Sequence, residues 1–410
     1  MLPVSQTLPH SSTPEPSTPP RLRLDYLDGL RGLAALYVVM HHAYYGLTAE
    51  ASLPPLVTKL TYWLYLGHSA VDIFIVLSGY CLMLPVIRSG RLSGGTGDFI
   101  RRRARRILPP YFAALVLSLL AIALLPALRD MSHPDALWNV SLPAFIPGII
   151  ISHLLLIQNF NPDWHSKIDY PMWSVATEWQ IYFLFPLVLL PAWKRAGAVA
   201  AVIAGFVIGL VPLFLFFDRF SGVSPQFLGL FALGMAAADL NFSSQPAPVR
   251  WRNGVPWGGL SAGLLAVLVL VSLKHSSWPE AVAFKDILVG AATACLLVAC
   301  TRSLTRRHET ATDQRPETRG HGSLALRLME SSPAVRLGTF SYSLYLVHAP
   351  VLALCQSALR PLHVSPTAGL CLILAGGVPL ALLVSYLFHL AFEKPFLSRA
   401  LVQAEKKLAR

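Results

Sequence analysis

The sequence predicts an all-α, polytopic membrane protein with about ten transmembrane helices and both termini in the cytoplasm. Hydrophobic residues make up 54% of the 410 positions and charged residues only 13%, about half the charged share of a typical soluble protein. Ten apolar stretches are long enough to cross a hydrocarbon core, and most Lys and Arg residues fall in alternate loops between them.

The ten stretches follow one another along nearly the whole chain. They lie near 30–48, 63–86, 107–126, 173–192, 196–217, 225–241, 256–273, 281–300, 334–357 and 366–392. Segment 142–158 is a weaker candidate because Pro143 and Pro147 interrupt it. We interpret it as a short or re-entrant piece on the outer side.

The distribution of basic residues predicts the orientation. With the N-terminus inside, the inner segments hold 26 of the 33 Lys and Arg residues, as the positive-inside rule requires. A full span over 142–158 would move the segment RRHETATDQRPETR to the outside, so ten spans are favoured. The net charge of +12 therefore requires no nucleic acid, and we expect a multi-pass protein of the inner (plasma) membrane.

The remaining segments complete the predicted domain organisation. Residues 1–20 are rich in Pro, Ser and Thr and predict a disordered cytoplasmic tail. Residues 21–396 form the membrane domain, with a mobile inner loop at 301–333, and 397–410 form a basic cytoplasmic tail. The five cysteines lie in apolar runs without metal-ligand spacing, so we expect neither a metal site nor a disulfide framework.

Two ionisable residues on the first stretch are the strongest functional signal. Arg31 and His42 are eleven residues apart, about three helical turns plus 20°, so both project from one face. They stand roughly 16 Å apart along the axis, which puts the imidazole deep in the bilayer, where ionisable groups are expensive and usually functional. His42 is a candidate general base; a core histidine bonded to a neighbouring helix is the alternative.

A basic cluster, FIRRRARRILPPY, opens the third stretch. Arg103 and Arg106 are three residues apart, and Arg102 and Arg106 are four apart, so each pair shares a helical face. Guanidinium groups bind phosphates bidentately, which makes the cluster a candidate site for a cytoplasmic polyphosphate donor. A stop-transfer cluster is the alternative interpretation.

Further polar residues lie near the outer ends of spans or within them. Glu178 and Tyr182 share a face four residues apart, and a carboxylate at this depth needs a partner or a function. Trp173 also fits an interfacial aromatic belt. We interpret Asp72, Trp173, Tyr182 and His348 as candidate substrate-binding residues.

Seven motifs in sequence order resemble the membrane acyltransferase-3 family of O-acyltransferases over residues 24–396. They are LDYLDGLRGLAALYVVMHH, GHSAVDIFIVLSGY, FIRRRARRILPPY, PMWSVATEWQIYFLFP, FLGLFALGM, LGTFSYSLYLVHAP and FEKPF. The resemblance implies a ten-helix bundle that takes an acyl group, usually acetyl, from cytoplasmic acyl-coenzyme A. The implied acceptor is a hydroxyl of a glycan, lipid-linked or free, or of another extracytoplasmic molecule.

The resemblance also implies roles for individual residues. The family's functional arginine and histidine on the first span fall on Arg31 and His42. Its arginine pair with two intervening residues falls on Arg103 and Arg106. The glutamate of its tryptophan–serine segment falls on Glu178, a second catalytic candidate that binds the acceptor or orients the catalytic group. The family often has another acidic residue next to this glutamate, where this chain has a tryptophan.

These assignments predict direct transfer inside a tunnel through the membrane. Arg103 and Arg106, helped by Arg102, hold the phosphates of acyl-coenzyme A, which is a co-substrate rather than a tightly bound cofactor. Arg31 guides the donor at the tunnel mouth, and His42 removes the proton from the acceptor hydroxyl.

Other interpretations stay open at the level of sequence. Transfer through an acyl-histidine is a second chemical route. An exporter of a glycan or lipid-linked intermediate has the same number of spans and the same buried charges. A non-catalytic sensor or scaffold is a third possibility. The sequence does not name the acceptor or the length of the acyl chain.

Overall fold

The computed structural model describes residues 24–48, 52–129, 138–273, 280–312 and 323–397, and these residues form no β-strand. The predicted tail at 1–20 lies outside the described residues, as does the tail at 397–410 apart from Leu397. The helices, numbered in chain order, are α1 (Asp25–Thr48), α2 (Pro55–Tyr65), α3 (Ser69–Ser89), α4 (Gly95–Leu124), α5 (Pro147–Leu154), α6 (Met172–Leu184), α7 (Leu190–Leu215), α8 (Phe217–Phe220), α9 (Phe227–Phe242), α10 (Pro246–Gly254), α11 (Trp257–Leu273), α12 (Glu280–Thr312), α13 (Leu324–Met329), α14 (Ser332–Thr339), α15 (Ser341–Leu359), α16 (Pro366–Leu372) and α17 (Val378–Phe388). Single π-helical turns occupy Phe185–Leu189, Ile373–Gly377 and His389–Glu393.

The all-α prediction is confirmed, and each of the ten apolar stretches falls on helix. By length and composition, six helical segments in the described part of the chain are long and apolar enough to cross a membrane. A seventh arises if α9 and α10, which bend by 96° relative to each other, are one span. These helices are consistent with a multi-pass membrane protein.

One of the six segments is much longer than a single span needs. Met172–Leu215 contains 44 residues, which as one straight helix would measure about 66 Å, twice the hydrocarbon core of about 30 Å. It is not straight, because Ala196 has φ −141° and Gly197 has φ 81°. The left-handed conformation of Gly197 is one that glycine adopts without a steric penalty. The break falls on the first two residues of the predicted stretch 196–217, just after the stretch 173–192.

Two predicted segments differ in length from the observed elements. Within segment 142–158, α5 has eight residues, about 12 Å, which is too short to cross the core. The predicted loop 301–333 is shorter than expected, since α12 continues to Thr312 and α13 begins at Leu324. Residues 301–312 contain neither Gly nor Pro, so nothing breaks the helix where the apolar stretch ends. Residues 313–322 lie outside the described residues.

The helices around the centre of the bundle approach closely. A Cβ atom at Gly79 of α3 would collide with the carbonyl of Phe231 in α9, and one at Gly234 of α9 would collide with the carbonyl of Val76. Small residues at both positions therefore let the two backbones touch. Helix α1 packs against α3, α14 and α15, which places the first predicted motif next to the last ones.

Candidate active site

A cavity of about 460 Å³ lies between α1, α3, α4, α6, the junction of α14 with α15, and the C-terminal turn. Half of the ten predicted site residues line it: Arg31, Arg103, Arg106, Glu178 and Tyr182. Its other charged lining residues are Asp25, Asp28 and Glu393. The fold therefore brings residues of three separate sequence motifs together around one cavity.

The three cavity arginines differ in their pairing. Arg31 forms an ion pair with Asp28 at 2.8 Å, one turn earlier on α1. Arg103 and Arg106 lie one turn apart on α4, and neither has a hydrogen-bond or salt-bridge partner among the described residues. The Arg103 Nε is buried without a partner. Two guanidinium groups are therefore available to a bound anion.

Arg102 lies outside this cavity. Its exposed guanidinium donates a hydrogen bond to the carbonyl of Ser93 at 2.8 Å. On a helix, its direction lies about 40° beyond that of Arg106, on the side away from Arg103. The rotation between successive residues thus carries this side chain off the cavity wall.

The cavity carboxylate of α6 is held by a tyrosine on the same helix. The Tyr182 hydroxyl donates to Glu178 Oε1 at 2.5 Å and lies 3.2 Å from the Ser78 hydroxyl of α3. The four-residue spacing brings the first two side chains together. The hydroxyl contact to α3 then fixes the carboxylate relative to a second helix.

His42 and His348 form a buried pair beside a second, smaller space. His42 Nδ1 lies 2.7 Å from His348 Nε2, and the two rings are stacked with centroids 5.0 Å apart. His348 Nδ1 lies 2.9 Å from the carbonyl of Leu344, one turn earlier on α15. His42 lines a space of about 20 Å³, which is close to the room that one water molecule needs.

The two spaces share a boundary. Val71 and Tyr345 line both of them. The Tyr345 hydroxyl lies 2.6 Å from the hydroxyl of Ser174, a residue of the large cavity. These two side chains therefore lie between the cavity with the arginines and the space at His42.

The two remaining predicted residues lie near the smaller space. Trp173 lines it and stacks on the His68 imidazole, with ring centroids 5.9 Å apart and 9° between the planes. Asp72 is fully buried in α3 and lines neither space. Its closest ionisable neighbours are His68 and Asp286.

The loop that precedes α6 contains a buried carboxyl group. Asp169 accepts a hydrogen bond from the Ser118 hydroxyl of α4 at 2.9 Å, and its carbonyl accepts one from the Met172 amide at 3.1 Å. Burial raises the pKa of Asp169 to about 8. This residue anchors the start of α6, the helix that provides Glu178.

Sequence reasoning did not assign several residues of this region to the site. Glu393 accepts hydrogen bonds from the Ser343 hydroxyl at 2.5 Å and from His389 Nδ1 at 2.9 Å. Tyr345 was not predicted at the boundary, and Asp286 was not singled out at all. An acidic residue inside an apolar stretch is a functional signal, and that signal could have identified Asp286.

The arrangement suits transfer between an anionic donor and a hydroxyl acceptor. Unpaired guanidinium groups bind phosphate oxygens, and a buried imidazole with one nitrogen fixed by a hydrogen bond can remove a proton. The two features line neighbouring spaces inside one helical bundle.

Comparison with known proteins indicates an acyltransferase. The model of the acyltransferase-3 family, described as an acyltransferase domain, matches residues 24–390. The acyltransferase MdmB of Streptomyces mycarofaciens is 28% identical over 365 residues, 82% of this chain and 80% of the relative. The putative peptidoglycan O-acetyltransferase YrhL of Bacillus subtilis is 25% identical over 80% of this chain and 48% of its own length.

A shorter match is to the O-acetyltransferase OatA of Staphylococcus aureus, which is 27% identical over 46% of this chain and 28% of its own length. The chain thus spans four-fifths of one relative and half or less of the other two. No solved structure matches the chain. On the family match over nearly its whole length, the chain belongs to the acyltransferase-3 family and is an O-acyltransferase.

Proposed function

We propose that this chain moves an acyl group, acetyl in the first instance, from cytoplasmic acyl-coenzyme A to a hydroxyl of an extracytoplasmic glycan. The main observation in favour is the pair of unpaired arginines, Arg103 and Arg106, on the wall of a cavity that shares a boundary with the space at His42. A binding site for a phosphate-rich donor would therefore lie next to a candidate base.

The donor binds with its phosphates on α4. Arg103 and Arg106 contact the phosphate oxygens with charge-assisted hydrogen bonds. Arg31, held by Asp28, lies on the same wall and steadies the donor close to them. The pantetheine arm then extends past Val71 and Tyr345, and it carries the thioester toward the buried histidines.

The hydrogen bonds of the two histidines support one particular nitrogen of His42 as the base. The Leu344 carbonyl can only accept, so the neutral His348 donates from Nδ1 and accepts at Nε2. His42 must then donate from Nδ1 to that nitrogen. Its Nε2 is left with a free lone pair, and no described residue is hydrogen-bonded to it. His348 is thus a positioning residue for the base.

In the reaction step, the acceptor oxygen attacks the carbonyl carbon of the thioester. A carbon–oxygen bond forms and the carbon–sulfur bond breaks. His42 Nε2 takes the hydroxyl proton and returns it to the departing coenzyme A thiolate, so the products are the ester and the free thiol. General-base catalysis of this kind typically contributes about 10²–10⁴-fold.

We also propose that the protein lies in the plasma membrane with ten spans and both termini inside. The helix break at Gly197 supports two spans where length and composition alone give one segment. With this orientation, the arginines of α4 lie at the cytoplasmic end, where coenzyme A is available. Glu178 is then suited to hold the acceptor or orient the base.

The acceptor class rests on the relatives. One similar protein is named as a putative peptidoglycan O-acetyltransferase and another as an O-acetyltransferase. A carbohydrate hydroxyl, free or lipid-linked, is therefore the acceptor that we propose.

The proposal is tested by incubating the purified protein with coenzyme A that carries a 14C-labelled acetyl group and with a panel of glycan acceptors. We expect label in the acceptor with the wild type and a loss of at least about 100-fold in the His42→Ala variant. Stable label on the protein itself would instead support an acyl-enzyme route. Export of a glycan without any release of free coenzyme A would contradict acyl transfer.

A further inference from the structure

Three ionisable side chains meet outside the acyl-transfer route. They are His68 at the turn before α3, Asp72 in α3 and Asp286 in α12. One ligand atom of each lies within 4.8 Å of the other two. The two carboxylates are 0% and 2% exposed, and both stand on helices that are apolar enough to cross a membrane.

The polar atoms of this group are largely unpartnered. Both carboxylate oxygens of Asp72 and the Nε2 of His68 are buried without a hydrogen bond. Asp286 accepts one hydrogen bond from the Gln226 side-chain amide at 2.9 Å, and its other oxygen lies 3.7 Å from His68 Nε2. The side-chain oxygen of Gln226 is itself buried without a partner.

An unpaired buried carboxylate is costly, and here two of them face each other. No Lys or Arg of the described residues forms an ion pair with either one. One shared proton would leave a net negative charge and would satisfy only part of the acceptor capacity of Asp72. A dication neutralises both carboxylates and also uses the imidazole nitrogen.

We propose that His68, Asp72 and Asp286 bind one divalent transition-metal ion. One imidazole nitrogen and two carboxylate oxygens match the ligands of Zn²⁺, and the unpartnered Gln226 oxygen is a fourth candidate ligand. Ligand atoms at about 2.0–2.2 Å from zinc lie roughly 3.4 Å from each other. The distance of 3.7 Å between His68 Nε2 and Asp286 Oδ1 is already close to this value. The other ligand atoms lie within 4.8 Å of each other, so they draw together by at most about 1.4 Å when the ion binds.

The ion links parts of the fold that surround the smaller space. It joins the turn before α3 to α12, and the His68 ring that it holds is stacked on Trp173. His68 and Trp173 both line the space beside His42. The metal thus acts as a structural clamp next to the acyl-transfer route and takes no part in the proton transfer.

Metal content of untagged, detergent-purified protein tests the site directly. After chelation and addition of Zn²⁺, elemental analysis should give about one ion per chain, and the thermal midpoint should rise. His68→Gln should weaken binding by at least about tenfold, and Asp72→Asn or Asp286→Asn should abolish it. Asp239→Asn, which alters a half-buried carboxylate of α9 bonded to Trp193, is the matched control and should bind like the wild type.

The proposal is overturned if the wild type binds no stoichiometric Zn²⁺, or if His68→Gln binds it as tightly as the wild type. An Asp72→Asn protein that folds with wild-type stability in the presence of Zn²⁺ would indicate a protonated carboxyl group instead. Should the aspartate variants fail to fold, the wild type and His68→Gln decide the question. None of these readouts depends on acyl transfer.

Discussion

Replacing His348 by alanine tests how the base is held. The His348 side chain is fully buried, and its Nε2 accepts the hydrogen bond of His42 Nδ1 at 2.7 Å. Its loss leaves a buried N–H donor unpaired, at a cost of about 1–3 kcal/mol. If the same free energy is needed to hold the imidazole in its reactive orientation, the activation free energy rises by this amount and kcat drops by about 5- to 160-fold. The KM for acetyl-coenzyme A should stay unchanged, because the donor phosphates bind elsewhere.

Three further variants make the measurement specific. His348→Gln keeps an acceptor near the position of Nε2 and should recover a large part of kcat. His42→Ala gives the lower limit of activity. His165→Gln is the control, since the His165 Nδ1 bonds to the carbonyl of Pro162 at 2.6 Å and its side chain lines neither space. Initial rates of labelled acetyl transfer, with thermal midpoints for each protein, provide the comparison.

A folded His348→Ala protein with wild-type kcat would refute the positioning role. A His348→Gln protein as slow as His348→Ala would refute the narrower claim that the acceptor atom matters. A rise in the KM for acetyl-coenzyme A in place of a fall in kcat would assign His348 to donor binding.

Three other predictions follow from named contacts. Arg103→Ala removes a charge-assisted phosphate contact worth about 1.5–3 kcal/mol and should raise the KM for acetyl-coenzyme A by about 12- to 160-fold, whereas Arg102→Ala should match the wild type in the same kinetics. Tyr182→Phe removes the 2.5 Å hydrogen bond to the Glu178 carboxylate, a contact to a charged group worth about 1.5–3 kcal/mol, and should lower kcat/KM for the acceptor by about 12- to 160-fold; an unchanged value would argue against a role for that contact. The folded protein keeps a proton on Asp169 up to about pH 8, while the unfolded chain loses it near pH 4, so stability falls as the pH rises between these values. The thermal midpoint of Asp169→Asn should not show this fall with pH. If the thermal midpoints of the two proteins change with pH in parallel, the prediction is contradicted.

Helical periodicity predicted which side chains share a face but not what they contact. Arg103 and Arg106 both line the cavity, as their three-residue spacing suggests. The four-residue spacing between Arg102 and Arg106 suggested that Arg102 also lines the cavity, yet the Arg102 side chain bonds to the Ser93 carbonyl. A local pattern gives the angle between two side chains, whereas packing against other helices decides which angle faces a cavity.

Partners from distant segments could not be predicted from spacing. His42 and His348 are separated by 306 positions, and Asp72 meets Asp286 only because α3 and α12 are neighbours in space. Both histidines were recognised separately as candidates, but their hydrogen bond depends on the tertiary arrangement of α1 and α15. The all-helical class needed no such information, since long apolar stretches determine it.

The boundary formed by Val71 and Tyr345 also bears on the choice of donor. The space beyond it, where His42 lies, measures only about 20 Å³. On the proposed route, an acetyl group carries a single methyl past its carbonyl carbon, whereas a butyryl group carries two further methylenes that have to fit beside these two side chains. Each extra methylene in a tight apolar site typically costs about 1–3 kcal/mol. On the proposed route, we therefore expect the side chains between the arginine cavity and His42 to favour an acetyl group over longer acyl groups.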